Sequence, residues 1–132
     1  MTLSLCADDR GGLSFHCRRQ SRDRAVCSDL IAQGRLLWME PYSRPLFPQD
    51  CPWIRTAEHP WLQSGPEDLC FLELLVPVPA LEKADTLWIY RWNRHYPSDQ
   101  RLPLPPAGWR LTAQIPFPGH SHDVITKEIY QR

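Results

Sequence analysis

Two of the five histidines stand close together in Gly119-His120-Ser121-His122-Asp123. Imidazoles two residues apart on an extended segment can reach a single ion, so the run has the look of half a metal site. A metal needs more ligands than that, and no other part of the chain shows ligand spacing; no metal and no other cofactor is expected. With Lys127 and an arginine, His120 and His122 would also supply the groups needed to act on a phosphodiester. The competing reading is a helix start. Ser121 would then be the N-cap, Asp123 would face the positive end of the helix dipole, and both histidines would be solvated.

A second candidate lies in residues 86–96, TLWIYRWNRHY. If the segment is a strand, Trp88, Tyr90, Trp92, Arg94 and Tyr96 share one face. Leu87, Ile89, Arg91, Asn93 and His95 share the other. An exposed aromatic stripe could stack nucleobases; a buried one is simply core. On the second face Arg91, Asn93 and His95 could line a polar pocket, or could mark a strand leaving the core. Glu73 is the third candidate, because it interrupts the apolar run LCFLELLV at 69–76. A buried carboxylate must be paired, and Arg91 on a neighbouring antiparallel strand is the expected partner. The catalytic candidates are therefore Glu73, Arg91, His95, His120, His122 and Lys127. Trp53 and Trp61, in a Pro-rich loop, together with Asn93, are candidates for contact with a partner.

The elements that must position these residues can be read from proline and periodicity. None of the 14 prolines falls in 1–40 or 119–132, whereas six fall in 41–66 and six in 97–118. Proline breaks helices and central strands, so regular structure is expected at the ends and around 67–96. Residues 2–6 and 13–18 alternate in polarity about the turn-forming Ala-Asp-Asp-Arg-Gly-Gly, which predicts a β-hairpin. A helix is expected over 22–33, with Ser21 as cap, Asp23 in the first turn, Val26, Leu30 and Ile31 inward and Gly34 as the stop. Its apolar face should pack on a sheet containing Leu37, Phe71, Leu111 and Ile115. Strands are expected at 36–39, 69–76, 86–96 and 109–115, and a short helix from Ser121. The resulting fold class is α+β: a mainly antiparallel β-sheet of about five to six strands with two helices packed on one face. The length of 132 residues suits a single globular domain over 1–132.

Composition limits the function classes. Fifteen basic residues balance fifteen acidic ones, which argues against a generally basic nucleic-acid surface. The charge is nonetheless uneven. Residues 45–90 hold two basic and seven acidic residues, while 91–132 hold six and three, a split that could steer a partner. No apolar run approaches a membrane span. The N-terminal MTLSLCADDR lacks the cationic and apolar regions of a secretory signal. The five cysteines are odd in number and form no C-x-x-C, so reduced thiols and a cytoplasmic setting are expected. Cys51 is expected to be the most exposed. P-loop, G-x-G-x-x-G and G-x-S-x-G motifs are absent. The expectation is a small soluble accessory protein (adaptor, regulatory or immunity-like) acting through contacts with another protein. The alternative is a small hydrolase or nuclease acting on RNA or a nucleotide through its His, Arg and Lys groups.

Overall fold

The computed structural model describes residues 1–132. In chain order the strands and helices are β1 (Thr2–Ala7), β2 (Gly12–Phe15), β3 (Arg18–Arg19), α1 (Arg24–Ala32), β4 (Leu37–Met39), β5 (Ile54–Thr56), α2 (Pro60–Gln63), β6 (Leu69–Phe71), α3 (Val78–Lys83), β7 (Thr86–Arg91), β8 (Gln100–Arg101), β9 (Arg110–Pro118) and β10 (Val124–Gln131). Seven strands form one sheet in the order β5-β4-β6-β1-β7-β10-β9, and β3-β2-β8 form a small second sheet. The five strands from β5 to β7 run parallel. Within this sheet only β10 and β9 add antiparallel pairs, and the small second sheet is antiparallel.

This corrects the expected antiparallel sheet of five to six strands. The parallel strands β4, β5 and β6 have three residues each, too few to show a period. The 86–96 segment ends as a strand at Arg91, and Asn93 turns the chain with φ 56°. The segment joining β6 to β7 carries α3 and crosses over β1, which lies between them. Parallel neighbours require such a crossover; the link is therefore not the connection between adjacent strands that its length suggested. Residues 2–6 and 13–18 do not pair as a hairpin either. β1 lies between β6 and β7, and β2 pairs with β3 and β8. The C-terminal segment is a strand, not a helix. Its β-branched and aromatic residues sit well in a pleated sheet, and Ile125, Lys127 and Tyr130 are buried there.

Helices cover both faces, not one. On one face α1 packs Val26, Cys27 and Leu30 against Leu37, Phe71, Trp88, Tyr90, Trp92 and Ile125. On the other, Ala80 and Ala84 at α3 meet Leu3, Leu5, Leu87 and Ile89. Alternate residues of β7 thus enter opposite cores, the pattern of a strand covered on both sides. Leu111 and Ile115, expected beneath α1, are exposed on the edge strand β9. The helix itself forms about where expected, but its cap is Asp23, whose side chain accepts the Ala25 N–H at 2.8 Å. Gly34, with φ 62°, follows its C-terminal end. Cys17, not Cys51, is the exposed thiol. No helix is long and apolar enough to cross a membrane.

Candidate functional site

In an open sheet with parallel strands, ligands favour the carboxyl ends of strands where the winding changes direction. Here that place is the end of β1, flanked by the ends of β6 and β7. Asp8, directly after β1, organises it. Its buried carboxylate accepts the Arg10 and Gly12 N–H groups at 2.8 and 2.7 Å and the Gln20 amide at 2.9 Å. The Tyr96 N–H reaches the same group at 3.3 Å. Burial raises the Asp8 pKa, but these donors outweigh it and hold the acid below its ordinary value. Gly12 permits the arrangement: a Cβ there would stand 2.6 Å from Asp8 Oδ2.

Asp23 is the second anchor. Besides capping α1, its fully buried carboxylate gathers the N–H groups of His120, Ser121 and His122 and the His122 ring nitrogen Nδ1 at 3.0 Å. Burial raises its pKa, but this set of donors overrides burial and lowers it to about 2. A carboxylate can only accept, so Nδ1–H donates to Asp23, and in the neutral ring Nε2 then presents a lone pair. Tyr96 Oη lies 2.9 Å from Nε2, and Ser21 Oγ lies 3.2 Å from it. The His122 ring is stacked on Trp92 with centroids 4.6 Å apart. The result is a chain of hydrogen bonds, Asp23–His122–Tyr96, running from a buried charge to a half-buried phenol.

Two cavities border this chain. One of about 400 Å³ is lined by Trp92, Asn93, Arg94, His122 and Asp123. The other, of about 440 Å³, is lined by Phe15, His16, Arg18, Gln20, Tyr96 and Pro97. Under α1, the space between Cys6, Asp23, Phe71, Glu73 and Trp92 is only about 10 Å³, at the lower limit for one water.

The predicted site residues scatter. Of the catalytic candidates, His122 is in the chain, and His120 contributes a backbone N–H while its side chain is exposed. Glu73 pairs with Arg19 at 2.8 Å and takes the Ser43 hydroxyl at 2.7 Å. Arg91 pairs with Glu128 at 3.3 Å. The expected Glu73–Arg91 pair is absent because β1 separates their strands. His95 is exposed on the loop after β7. Lys127 is buried against Trp88 and paired with Asp29 at 2.9 Å. Trp61 packs on the α3-side core and Trp53 is half-buried. Asn93 Nδ2 bonds Thr126 Oγ1 and the Val124 carbonyl, which fastens the turn after β7 to β10. The residues that reasoning from sequence passed over are Asp8, Ser21, Asp23 and Tyr96. Asp23 did carry a signal, an acid at a helix start, but that signal says nothing of a partner 99 residues away.

No family model matches the chain, and no curated protein matches it by sequence. The fold comparison places it in a class: a mixed α/β sheet of the kind found in dihydrofolate reductases. One such solved structure is the dihydrofolate reductase from Enterococcus faecalis, complexed with NADP(H) and RAB-propyl. It matches with a TM-score of 0.61 over 99% of this chain and 95% of that chain, at 11% identity. At that identity the likeness is one of fold. It is nonetheless a likeness over full length to an enzyme in complex with small molecules. On that finding the expectations of an adaptor or immunity-like protein, of a protein partner, and of a hydrolase or nuclease acting on RNA are corrected.

Proposed function

We propose that this protein is a small-molecule-binding enzyme of the dihydrofolate reductase fold, with its site at the carboxyl ends of β1 and β7, where Tyr96 exchanges a proton with the ligand. The observation that carries this reading is the Asp23–His122–Tyr96 chain beside two ligand-sized cavities. The full-length fold likeness supports the class of ligand. In the forward direction Tyr96 Oη accepts a proton from the bound molecule while its own proton passes to His122 Nε2. The imidazolium so formed lies against the Asp23 carboxylate, which offsets its charge. The ligand is left as the anion, and its return to the neutral form reverses each transfer.

NADP(H), bound in the Enterococcus enzyme, does not fit this chain. A pyrophosphate needs free backbone N–H groups at a glycine-containing turn that opens a helix. The turn from β6 to α3 has no glycine, and Pro77 and Pro79 supply no N–H there. At the end of β6, Glu73 already occupies the Arg19 guanidinium and the Ser43 hydroxyl, so neither is free for a phosphate. Gly11 and Gly12, after β1, are closed off by the Leu102 carbonyl and Asp8. No step is therefore assigned to a dinucleotide.

Long-range ¹⁵N spectra of the imidazole rings, combined with a ligand-observed screen of small organic acids and heterocycles, test this reading. The expected result is a His122 ring protonated on Nδ1, hits that perturb Tyr96 and Trp92 resonances, and no response to NADP(H). A His122 ring protonated on Nε2, or hits that survive in Tyr96→Phe without change, would overturn it.

A further inference from the structure

We infer that the cavity between the β2–β3 hairpin and Tyr96 binds a planar aromatic carboxylate, its ring extending the Phe15–His16 stack and its acid group on Arg18. This rests on the reading above and names its ligand class.

Four observations converge. The cavity holds about 440 Å³ and is open at the surface beside the phenol of the proton relay. Phe15 is 39% exposed, and its ring is stacked on that of His16 with centroids 3.9 Å apart and planes within 18°. Stacked face to face, the two rings cover each other on one side and leave an outer face exposed, which water solvates poorly and a third planar ring covers well. The cavity's charge is positive. Arg18 is exposed and takes no part in the structure's five ion pairs. Arg19 beside it is already neutralised by Glu73, and no carboxylate lines the cavity. A guanidinium left free at such a wall suits a bidentate carboxylate.

The fourth observation is the backbone. His16 and Cys17, the two residues of the hairpin turn, have φ of 50° and 58°. This left-handed turn is where Asn-Gly normally stands; His tolerates it better than most residues, and Cys17 is the strained member. The turn sets the His16 ring on Phe15, and the His16 N–H, bonded to Asp99 at 3.0 Å, helps to hold it. Strain of this kind gathers at binding sites, where the surrounding structure maintains it.

Three probes separate the components of the site: 2-naphthoate (planar and anionic), cyclohexanecarboxylate (anionic, not planar) and 2-naphthamide (planar, neutral). In calorimetric titration of the full chain, 2-naphthoate should bind at least about tenfold more tightly than either of the others. Arg18→Gln and Phe15→Ala should each weaken it about tenfold or more, with both variants keeping the wild-type melting temperature to show that they fold. Equal affinity for the three probes, unchanged affinity in Arg18→Gln, or no 2-naphthoate binding up to about 10 mM would each overturn the inference. The relay is judged separately, from the His122 ring spectra without ligand. If naphthoate binding meets the expectation while Nε2 carries the proton, the proton-transfer reading fails and this site stands; the reverse outcome removes this site alone.

Discussion

Asp23 does two jobs with one carboxylate, and both depend on its charge. It accepts the Ala25 N–H in the first turn of α1 and also the N–H groups and ring of the 120–122 turn. An amide in its place would turn a donor toward some of these donors and leave them unsatisfied while buried. Asp23→Asn should therefore cost about 2–4 kcal/mol in urea denaturation. The pH dependence follows from the same contacts. The folded pKa is near 2, against an ordinary 3.8. The folded state thus binds the proton less readily than the unfolded chain. Its contribution is fully present above about pH 4–5 and is lost as the pH falls toward 2. The urea midpoint should drop over that interval in the wild type and drop less steeply in Asp23→Asn. The thiols also divide by environment. Burial pushes Cys27 up to about 11 and Cys70 up to about 12, which suppresses the reactive thiolate. Cys17 is exposed at the hairpin turn. It should be the first residue labelled by a thiol reagent under native conditions, as mass mapping would show; first labelling of Cys51 would contradict the structure.

At the scale of elements, the β2–β3 hairpin holds strain that its residues do not relieve. Glycine accepts a positive φ without the steric cost borne by Cys17. Cys17→Gly should raise stability by about 0.5–1 kcal/mol in spite of the extra freedom that glycine gives the unfolded chain. A loss of stability would mean that the turn is not held in the left-handed region. Helix α1 is the contrasting case, since its position is set by packing. Leu30 is fully buried between the helix and the sheet. The helix was legible in the sequence because cap, apolar spacing and terminal glycine are all local. The terminal strand β10 was not legible. Ser121 and Asp123 imitate a helix start, and only the open edge of β7 makes the extended form the better choice.

For the molecule as a whole, the two apolar clusters lie on opposite faces of one sheet and share its strands. Loss of packing on one face should thus be felt on the other. Leu5→Ala on the α3 side and Leu30→Ala on the α1 side should each cost about 2–5 kcal/mol. Each variant should still unfold in one transition, coincident by circular dichroism and tryptophan fluorescence. Two separate transitions would show that the faces fold as independent units.

The sequence by itself determined what is local. Helix α1, the glycine that follows it, the apolar strand starting at Leu69, the aromatic strand from Thr86 and the need for Glu73 to find a cation are all visible in residue type and spacing. Strand order and direction were decided only by tertiary structure. A three-residue buried strand has no measurable period, and a crossover of the right length reads like a hairpin link. The insertion of β1 between β6 and β7 therefore left no local trace, although it gives Glu73 to Arg19 and Arg91 to Glu128. The site was hidden for the same reason. Asp8, Asp23, Tyr96 and His122 each have an ordinary local explanation as turn, cap, aromatic or solvated residues. What joins them in one hydrogen-bonded cluster is closeness across as many as 99 positions of chain, and spacing along a sequence cannot report contacts that only the closed sheet brings about.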